Sequence, residues 1–429
     1  MLQTEVACVP AMINGGVDNM HYKQNHVYVG LDLHKETHTA VIIDCWNEKL
    51  DTIVIENKPS DFTKLLNKAK KIAGDLTPVF GLEDVHGYGR SLAVFLIEKG
   101  QVVKEVNSAL SYSERMSYPT TKKSDDWDAY CIAAVLLRIL DKLPDANPQD
   151  LYWTIKMIVN RRDAIVKAIT TLTNQLHGQL AYHYPSYKKF FNDVNSKTAL
   201  VFWEKYPSPH HLKGVTEEDL AKVLRKPSHN CCSTRKAKEI LDIVESDGDT
   251  TREYQESRNF IIQSIVRDIR FKAEEIKMVE KEMKSLLKLL DYKLETIPGV
   301  DTVTAIALVA GISDIKRFRN ADKLARFAGI APVNFSSAGK GKDKKSKQGN
   351  RELYAVFYFL AIQQIQVAKG SNLPRNPVFL EYYKRKISEG KTKIQALVCV
   401  MRRLVNIIYG MMKNKSEYVM PIVPLKEAV

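Results

Sequence analysis

Four carboxylates in this chain stand where they could do chemistry together. Asp32 closes the short apolar run that begins at Val27, and Glu83 closes a second one, Pro78-Val79-Phe80-Gly81-Leu82-Glu83. Asp125 and Asp128 lie three apart in Lys123-Ser124-Asp125-Asp126-Trp127-Asp128-Ala129, just before the apolar run Tyr130 to Leu140. A helix starting there projects both from one face. Acids also favour a helix N-terminus for its dipole alone, so it is the two upstream acids that turn the pattern toward a metal site. Strand ends in a mixed sheet lie beside helix starts, and all four groups can converge. Carboxylates so gathered repel unless a cation lies between them, and hard divalent cations take oxygen ligands. Four can hold two ions about 3.5–4 Å apart, which clamps the attacking and leaving oxygens of a phosphodiester.

The elements that must position these acids follow from the apolar pattern. Val27–Leu33, Thr39–Ile43 and Thr52–Ile55 read as three successive strands. A helix from Ser60 to Ala73, the Glu83 strand, a helix at Ser91–Glu98, a strand at Gln101–Val106 and the Asp125 helix follow. That order describes an RNase H-like mixed sheet, because a doubly wound fold needs helices between its first strands. His86-Gly87-Tyr88-Gly89-Arg90 is too short for a dinucleotide fingerprint and reads as a turn near the site.

Residues 151–293 are mostly helical. From Ser257 to Leu290, Ile262, Ile269, Ile276, Met283 and Leu290 repeat every seven, with Ile265, Val279 and Leu286 on the other seam and Lys272 intruding. This predicts a coiled coil, within or between chains, and the heptads are expected to drive assembly. The expected division is a disordered tail at 1–26, a catalytic domain at 27–150, this linker at 151–293 and a mostly helical last domain at 294–429. The fold class is multidomain α/β plus α.

Composition bounds the function. The hydrophobic fraction of 45% can fill real cores, and no run approaches the length of a membrane span. No charged-then-apolar leader opens the chain, so the expected setting is cytoplasmic, with no membrane partner. Six cysteines without a Cys-x-x-Cys pair read as reduced structural thiols. Residues 338–429 hold 18 Lys and Arg against 6 Asp and Glu, a surplus of +12 out of the total +14. A basic end on a nearly balanced chain points to a polyanion, and nucleic acid suits a phosphodiester site.

In that basic end lies Pro332-Val333-Asn334-Phe335-Ser336-Ser337-Ala338-Gly339-Lys340, followed by Lys342, Lys344, Lys345, Lys347 and Arg351. Such composition suits a surface loop. It also suits a serine nucleophile whose hydroxyl meets a phosphate held by lysines. Arg402 and Arg403 keep a later helix basic and join these residues as candidate nucleic-acid contacts. Ile297-Pro298-Gly299-Val300 resembles a helix-hairpin-helix turn, with Asp301 where a glycine is usual.

Taken in order, Gly30-Leu31-Asp32-Leu33-His34-Lys35, Gly81-Leu82-Glu83-Asp84 with Gly87-Tyr88-Gly89, Lys123-Ser124-Asp125 and Asp128-Ala129 resemble the DEDD insertion-sequence transposases. Those are relatives of the Piv invertase with a RuvC-like catalytic domain. The Ile-Pro-Gly-Val, Phe-Ala-Gly-Ile-Ala-Pro, Ser-Ser-Ala-Gly-Lys and Lys-Gln-Gly-Asn-Arg stretches look like the family's C-terminal transposase domain. The resemblance spans about residues 27 to 412. It implies an element-encoded recombinase whose Asp32, Glu83, Asp125 and Asp128 bind Mg²⁺, two ions per site. It implies a serine, Ser337 or Ser336, that attacks DNA to form a phosphoserine link, with Ser337 favoured as nearer the glycine. It further implies target and donor DNA as substrates, a structured guide RNA from the element's non-coding end that pairs with both, and a homo-oligomer, dimer or tetramer. Two other functions compete: a RuvC-like nuclease working by metal hydrolysis alone, and a non-catalytic nucleic-acid binder with a decayed site, against which four intact carboxylates speak.

Overall fold

Five strands form one mixed sheet: β1 (His26–Leu33), β2 (Thr37–Ile43), β3 (Lys49–Glu56), β4 (Thr77–Glu83) and β5 (Val102–Glu105), in the order β3-β2-β1-β4-β5. β2 runs antiparallel to β1 and β3, while β4 and β5 run parallel to β1. The structure, a computed structural model, describes residues 21–84, 87–119, 123–148, 150–337, 340–344, 346, 348–368 and 370–421, with 333–344 in backbone alone. Helices α1 (Pro59–Ala73), α2 (Arg90–Glu98), α3 (Ser108–Met116) and α4 (Asp125–Ile139) complete this first unit, which ends at Gln149. The arrangement is consistent with the RNase H-like sheet that the strand order predicts.

Alternation decides what each face carries. Val27, Val29, Leu31 and Leu33 of β1 pack with α1 and α2 in one core. Tyr28 of β1 and Val79 of β4 pack with α4 in a second core on the opposite face. Gly30 and Asp32, Gly81 and Glu83, share that second face by period two. A Cβ on Gly30 would lie 2.2 Å from the Ala129 carbonyl and 2.3 Å from the Ala133 nitrogen. Glycine is therefore required for α4 to reach the sheet. Gly30→Ala is expected to destabilise the unit by about 3 kcal/mol or more, at the upper end of overpacking because the clash is with backbone; chemical denaturation followed by circular dichroism checks it.

Two ends of this unit differ from expectation. Residues 21–26, assigned to a disordered tail, are ordered: Tyr22–Asn25 form a 3-10 helix, the Tyr22 hydroxyl donates to Asp141 at 2.6 Å, and Lys23 donates to the Arg138 carbonyl. Residues 1–20 of that tail lie outside the described residues. Helix α3, capped by Asn107 onto the Ala109 amide, was not foreseen.

The second unit, Asp150–Val429, is described by itself. It contains α5 (Asp150–His183), α6 (Lys197–Lys205), α7 (Glu217–Arg225), α8 (Thr234–Asp247), α9 (Gln255–Leu290), α10 (Thr302–Ile312), α11 (Ala321–Phe327), α12 (Arg351–Ile365), α13 (Pro377–Ser388) and α14 (Lys393–Asn414). A two-stranded antiparallel sheet, β6 (Val333–Ser337) and β7 (Lys340–Lys344), interrupts them. The boundary expected near 293 falls inside this unit, because α5 and α9 contribute to both of its cores.

Those two helices, 34 and 36 residues long, run antiparallel: Tyr152 meets Tyr292, Arg161 meets Glu275 and Arg162 meets Glu280. The heptad seam faces α5. Ile262, Ile265, Ile269, Met283 and Leu290 are buried, and Ile276, Val279 and Leu286 half-buried. The expectation that this seam joins chains is corrected, since its apolar side chains are already covered within one chain. α14 is the one helix among the described residues long and apolar enough to cross a membrane by length and composition, which the search for apolar runs missed. It carries Arg402 and Arg403 midway and buries Leu397, Val400, Leu404 and Ile408 in the core.

Candidate active site

β1 and β4 are parallel neighbours in a register that sets Asp32 directly beside Glu83. Glu83 ends β4 and Asp32 is the last residue but one of β1, both on the α4 face. Ser124 caps α4 by accepting from the Trp127 amide, and the acids of its first turn follow. Because Gly30 lets α4 sit against β1, that first turn arrives at the sheet's acidic edge. Asp128 and Asp32 are mostly buried, while Asp125 is exposed.

The electrostatics report the convergence. Burial pushes the Asp32 carboxyl up to about 6; His34 partly opposes this, and Asp125, Asp128 and Glu83 each push further in the same direction. The other three sequence-selected acids therefore all bear on Asp32. Asp32, His34 and Asp125 each offer a ligand atom, and these atoms lie within 4.8 Å of one another. The His34 Nδ1 is 3.7 Å from Asp32 Oδ2, and its Nε2 is 4.0 Å from Asp125 Oδ1. An oxygen-rich set with one imidazole at the rim fits a hard divalent cation. Because the folded pKa of Asp32 is raised, protonation favours the fold. Metal-free protein is expected to lose stability as pH rises from about 4 through about 6, and Asp32→Asn to melt a few degrees higher at pH 7.5. Thermal melts of both proteins in a chelator, across that range, check it.

Three contacting groups were not singled out in the sequence. His34 was quoted within a motif without a role. The Ser111 hydroxyl donates to Glu83 Oε2, and Arg115 donates to Asp128 Oδ1 at 2.8 Å. Both come from α3 at a spacing of four, so one helix face braces two of the acids. The signal was legible only as a capped Asn107 followed by Ser111 and Arg115 four apart. Asp126 points elsewhere, as its 100° offset predicts: it accepts from Lys49 and Thr52, at 2.6 and 2.7 Å, and ties α4 to β3. Asp84 accepts from the Gly87 and Gly89 amides and shapes the turn before α2, whose Gly89 abuts Leu33; His86 lies outside the described residues. Cys131 is buried on α4 with its thiol pushed up to about 12, as suits a structural thiol. Five cysteines, Cys45, Cys131, Cys231, Cys232 and Cys399, are free.

The remaining candidates lie in the second unit. Ser336 and Ser337 are in β6, paired in register with Gly341 and Lys340, and Ser337 ends its strand. Lys340, Lys342 and Lys344 belong to β7, whereas Lys345 and Lys347 lie outside the described residues. Arg351 opens α12, just after its Asn350 cap. Arg402 is paired with Asp322 and Asn406, tying α14 to α11. Arg403 lies over the Tyr382 ring at 4.1 Å, beside a cavity of about 210 Å³. At the Ile297–Val300 turn, Asp301 accepts from the Thr304 amide and caps α10 itself, and Arg375 crowds Gly299. The cap engages one of the amides at the start of α10 with the chain's own carboxylate.

Residues 29–185 match the family model of the IS110-type DEDD transposases, described as Transposase. Residues 291–384 match the model described as Transposase IS116/IS110/IS902 family. The chain belongs to this insertion-element transposase family. It is 24% identical to the 44.8 kDa protein of insertion element IS116 from Streptomyces clavuligerus, over 92% of this chain and 97% of that one. It is 22% identical to the 42 kDa protein of insertion element IS900 from Mycobacterium paratuberculosis, over 91% and 97%. It is 30% identical to the pilin gene-inverting protein of Moraxella lacunata, over 39% and 52%.

Proposed function

We propose that this protein is the DNA recombinase of its insertion element, with Asp32, Glu83, Asp125 and Asp128 as Mg²⁺ ligands and Ser337, or else Ser336, as nucleophile. The observation that carries it is the meeting of four acids at one sheet edge, with Asp32 held near 6 by the other three after burial. The family's transposases and the pilin gene-inverting protein support DNA rearrangement as the reaction class. Bound Mg²⁺, two ions per site, supplies charge for the developing oxyanions of the phosphodiester.

The chain's own residues do the rest. Ser111 and Arg115 hold Glu83 and Asp128 in ligating orientation. His34 stands at the rim between Asp32 and Asp125. The serine oxygen forms a bond to phosphorus, the bond from phosphorus to the neighbouring sugar oxygen breaks, and the hydroxyl proton leaves with that oxygen. The ester so formed conserves the bond for rejoining to a second DNA. Lysines of β7 and Arg351 hold backbone phosphates, which position DNA without reading its sequence. No zinc finger or zipper-linked basic region offers a sequence reader among the described residues. A structured RNA from the element's flank, pairing with target and donor, fills that need, as in guided systems where protein reads shape and RNA reads sequence. The protein acts in the cytoplasm as a homo-oligomer.

The test is binding and redirection. Purified protein is expected to bind the RNA of its element's flank far more tightly than an unrelated RNA at matched salt. Changing that RNA's pairing loop is expected to move insertion to a matching DNA. Recombination of its own site by RNA-free protein would overturn the guided reading, leaving direct readout by the helical unit.

A further inference from the structure

The cavity beside Arg403, about 210 Å³, has the lining of a binding site rather than of a packing gap. Phe379 of α13 and Ile407 and Met411 of α14 give it apolar walls, and the rings of Tyr382 and Tyr418 line it as well. Tyr418 belongs to the segment after α14, and that segment is pinned. Its amide donates to the Thr296 hydroxyl at 2.8 Å, and the buried Asn376 donates to its own hydroxyl at 3.2 Å. The cavity is therefore preformed, as ligand sites usually are. It is smaller than the roughly 300–1,000 Å³ of sites for drug-sized ligands, so it suits a single flat ring system.

Charge says what that ring is attached to. Three cations stand over the Tyr382 ring: Arg403 at 4.1 Å, Arg385 at 5.2 Å and Lys386 at 5.5 Å. Glu389 pairs with Lys386 at 2.5 Å and with Arg385 at 3.7 Å. Arg403 is exposed and makes no ion pair among the described residues. Its guanidinium, held by the ring, keeps its N–H fork for a phosphate. We propose that this cavity holds one unstacked nucleotide of a single-stranded nucleic acid, its base against Tyr382 and Tyr418 and its phosphate on Arg403. Aromatic side chains take any base by its flat face, while cations hold the backbone. Glu417 also lines the cavity. Its carboxylate keeps the phosphate to the Arg403 side and accepts from a base amino group. A base within a duplex cannot enter, because its faces are stacked and it must first be extruded.

This deepens the nucleic-acid part of the proposed function and rests on it, but the site uses neither the acids nor the serines. Photo-cross-linking of the full-length chain tests it. The probes are short single strands of RNA and of DNA, unrelated in sequence to the element, each with one photoreactive thiopyrimidine base. Cross-links mapped by mass spectrometry are expected at Tyr382 or Tyr418 from at least one of them, which also says which strand supplies the nucleotide. The same DNA paired into a duplex is expected to lose them. Ile407→Trp fills the cavity and removes no charge. It is expected to lower the yield there about 10-fold or more, with yields elsewhere on the chain unchanged. Arg403→Gln is expected to lower the yield too and to flatten its dependence on salt, since one phosphate contact is gone. The wild-type map decides by itself where a variant fails to fold. Cross-links that map only elsewhere, that are as strong from the duplex, or that survive Ile407→Trp would overturn the cavity's role and leave the recombinase reading standing. A chain that binds neither strand would overturn both.

Discussion

Alanine at Asp32, Glu83 or Asp128 is expected to lower strand transfer by more than about 10³-fold, with the fold retained. Removing groups that merely orient metal ligands costs about 10- to 100-fold, and removing a ligand costs more. The three acids enter from β1, β4 and α4, so no single element carries the site and each deletion leaves the others in place. Folding is expected to survive because burial of charge is relieved: Asp32 is held near 6 by its surroundings, and its removal lightens the repulsion on the rest. Asp126→Ala is the internal control, since it breaks the ties to Lys49 and Thr52 without touching the cluster. Its expected effect is on stability, by about 1 kcal/mol for an exposed charged contact at most. The measurement is product formation on labelled donor and target DNA in Mg²⁺, with Mn²⁺ uptake followed by electron paramagnetic resonance. Normal Mg²⁺-dependent recombination by any one of the three variants would remove that residue from the site.

The second large effect is on a covalent intermediate. Denaturing gels of wild-type protein with labelled DNA are expected to show a protein-linked band, and Ser337→Ala to abolish it. Ser336→Ala is expected to keep the band at reduced intensity. The two serines differ in backbone setting: Ser337 is the last residue of β6, whereas Ser336 is one step back along the strand. A nucleophile must meet the phosphorus without a strand in its way, which favours the strand's end. Reversal of the two results would transfer the role to Ser336. A band that persists in both variants would place the covalent chemistry elsewhere, and no band at all in wild-type protein would leave a metal-dependent nuclease.

The amino-acid sequence by itself determined the strands, the four acids and the order in which they occur. Each is local: an apolar run closed by an acid is visible at Asp32 and Glu83, and a capped helix start is visible at Ser124 and Asp125. The heptads of α9 were equally visible, because periodicity is a property of one helix. Only the tertiary structure decided what each feature faces. It turned the Ile262–Leu290 seam onto α5, the antiparallel helix that runs from Asp150 to His183. It brought Ser111 and Arg115 onto Glu83 and Asp128 from a helix with no acid in its first turn to advertise it. It bound Arg402 to Asp322, eighty residues away, where charge alone had suggested a phosphate contact. Such partners are set by packing between segments distant in sequence. A glycine such as Gly30 shows the division: its place in the strand is written locally, and its necessity comes from the backbone of α4 lying against it.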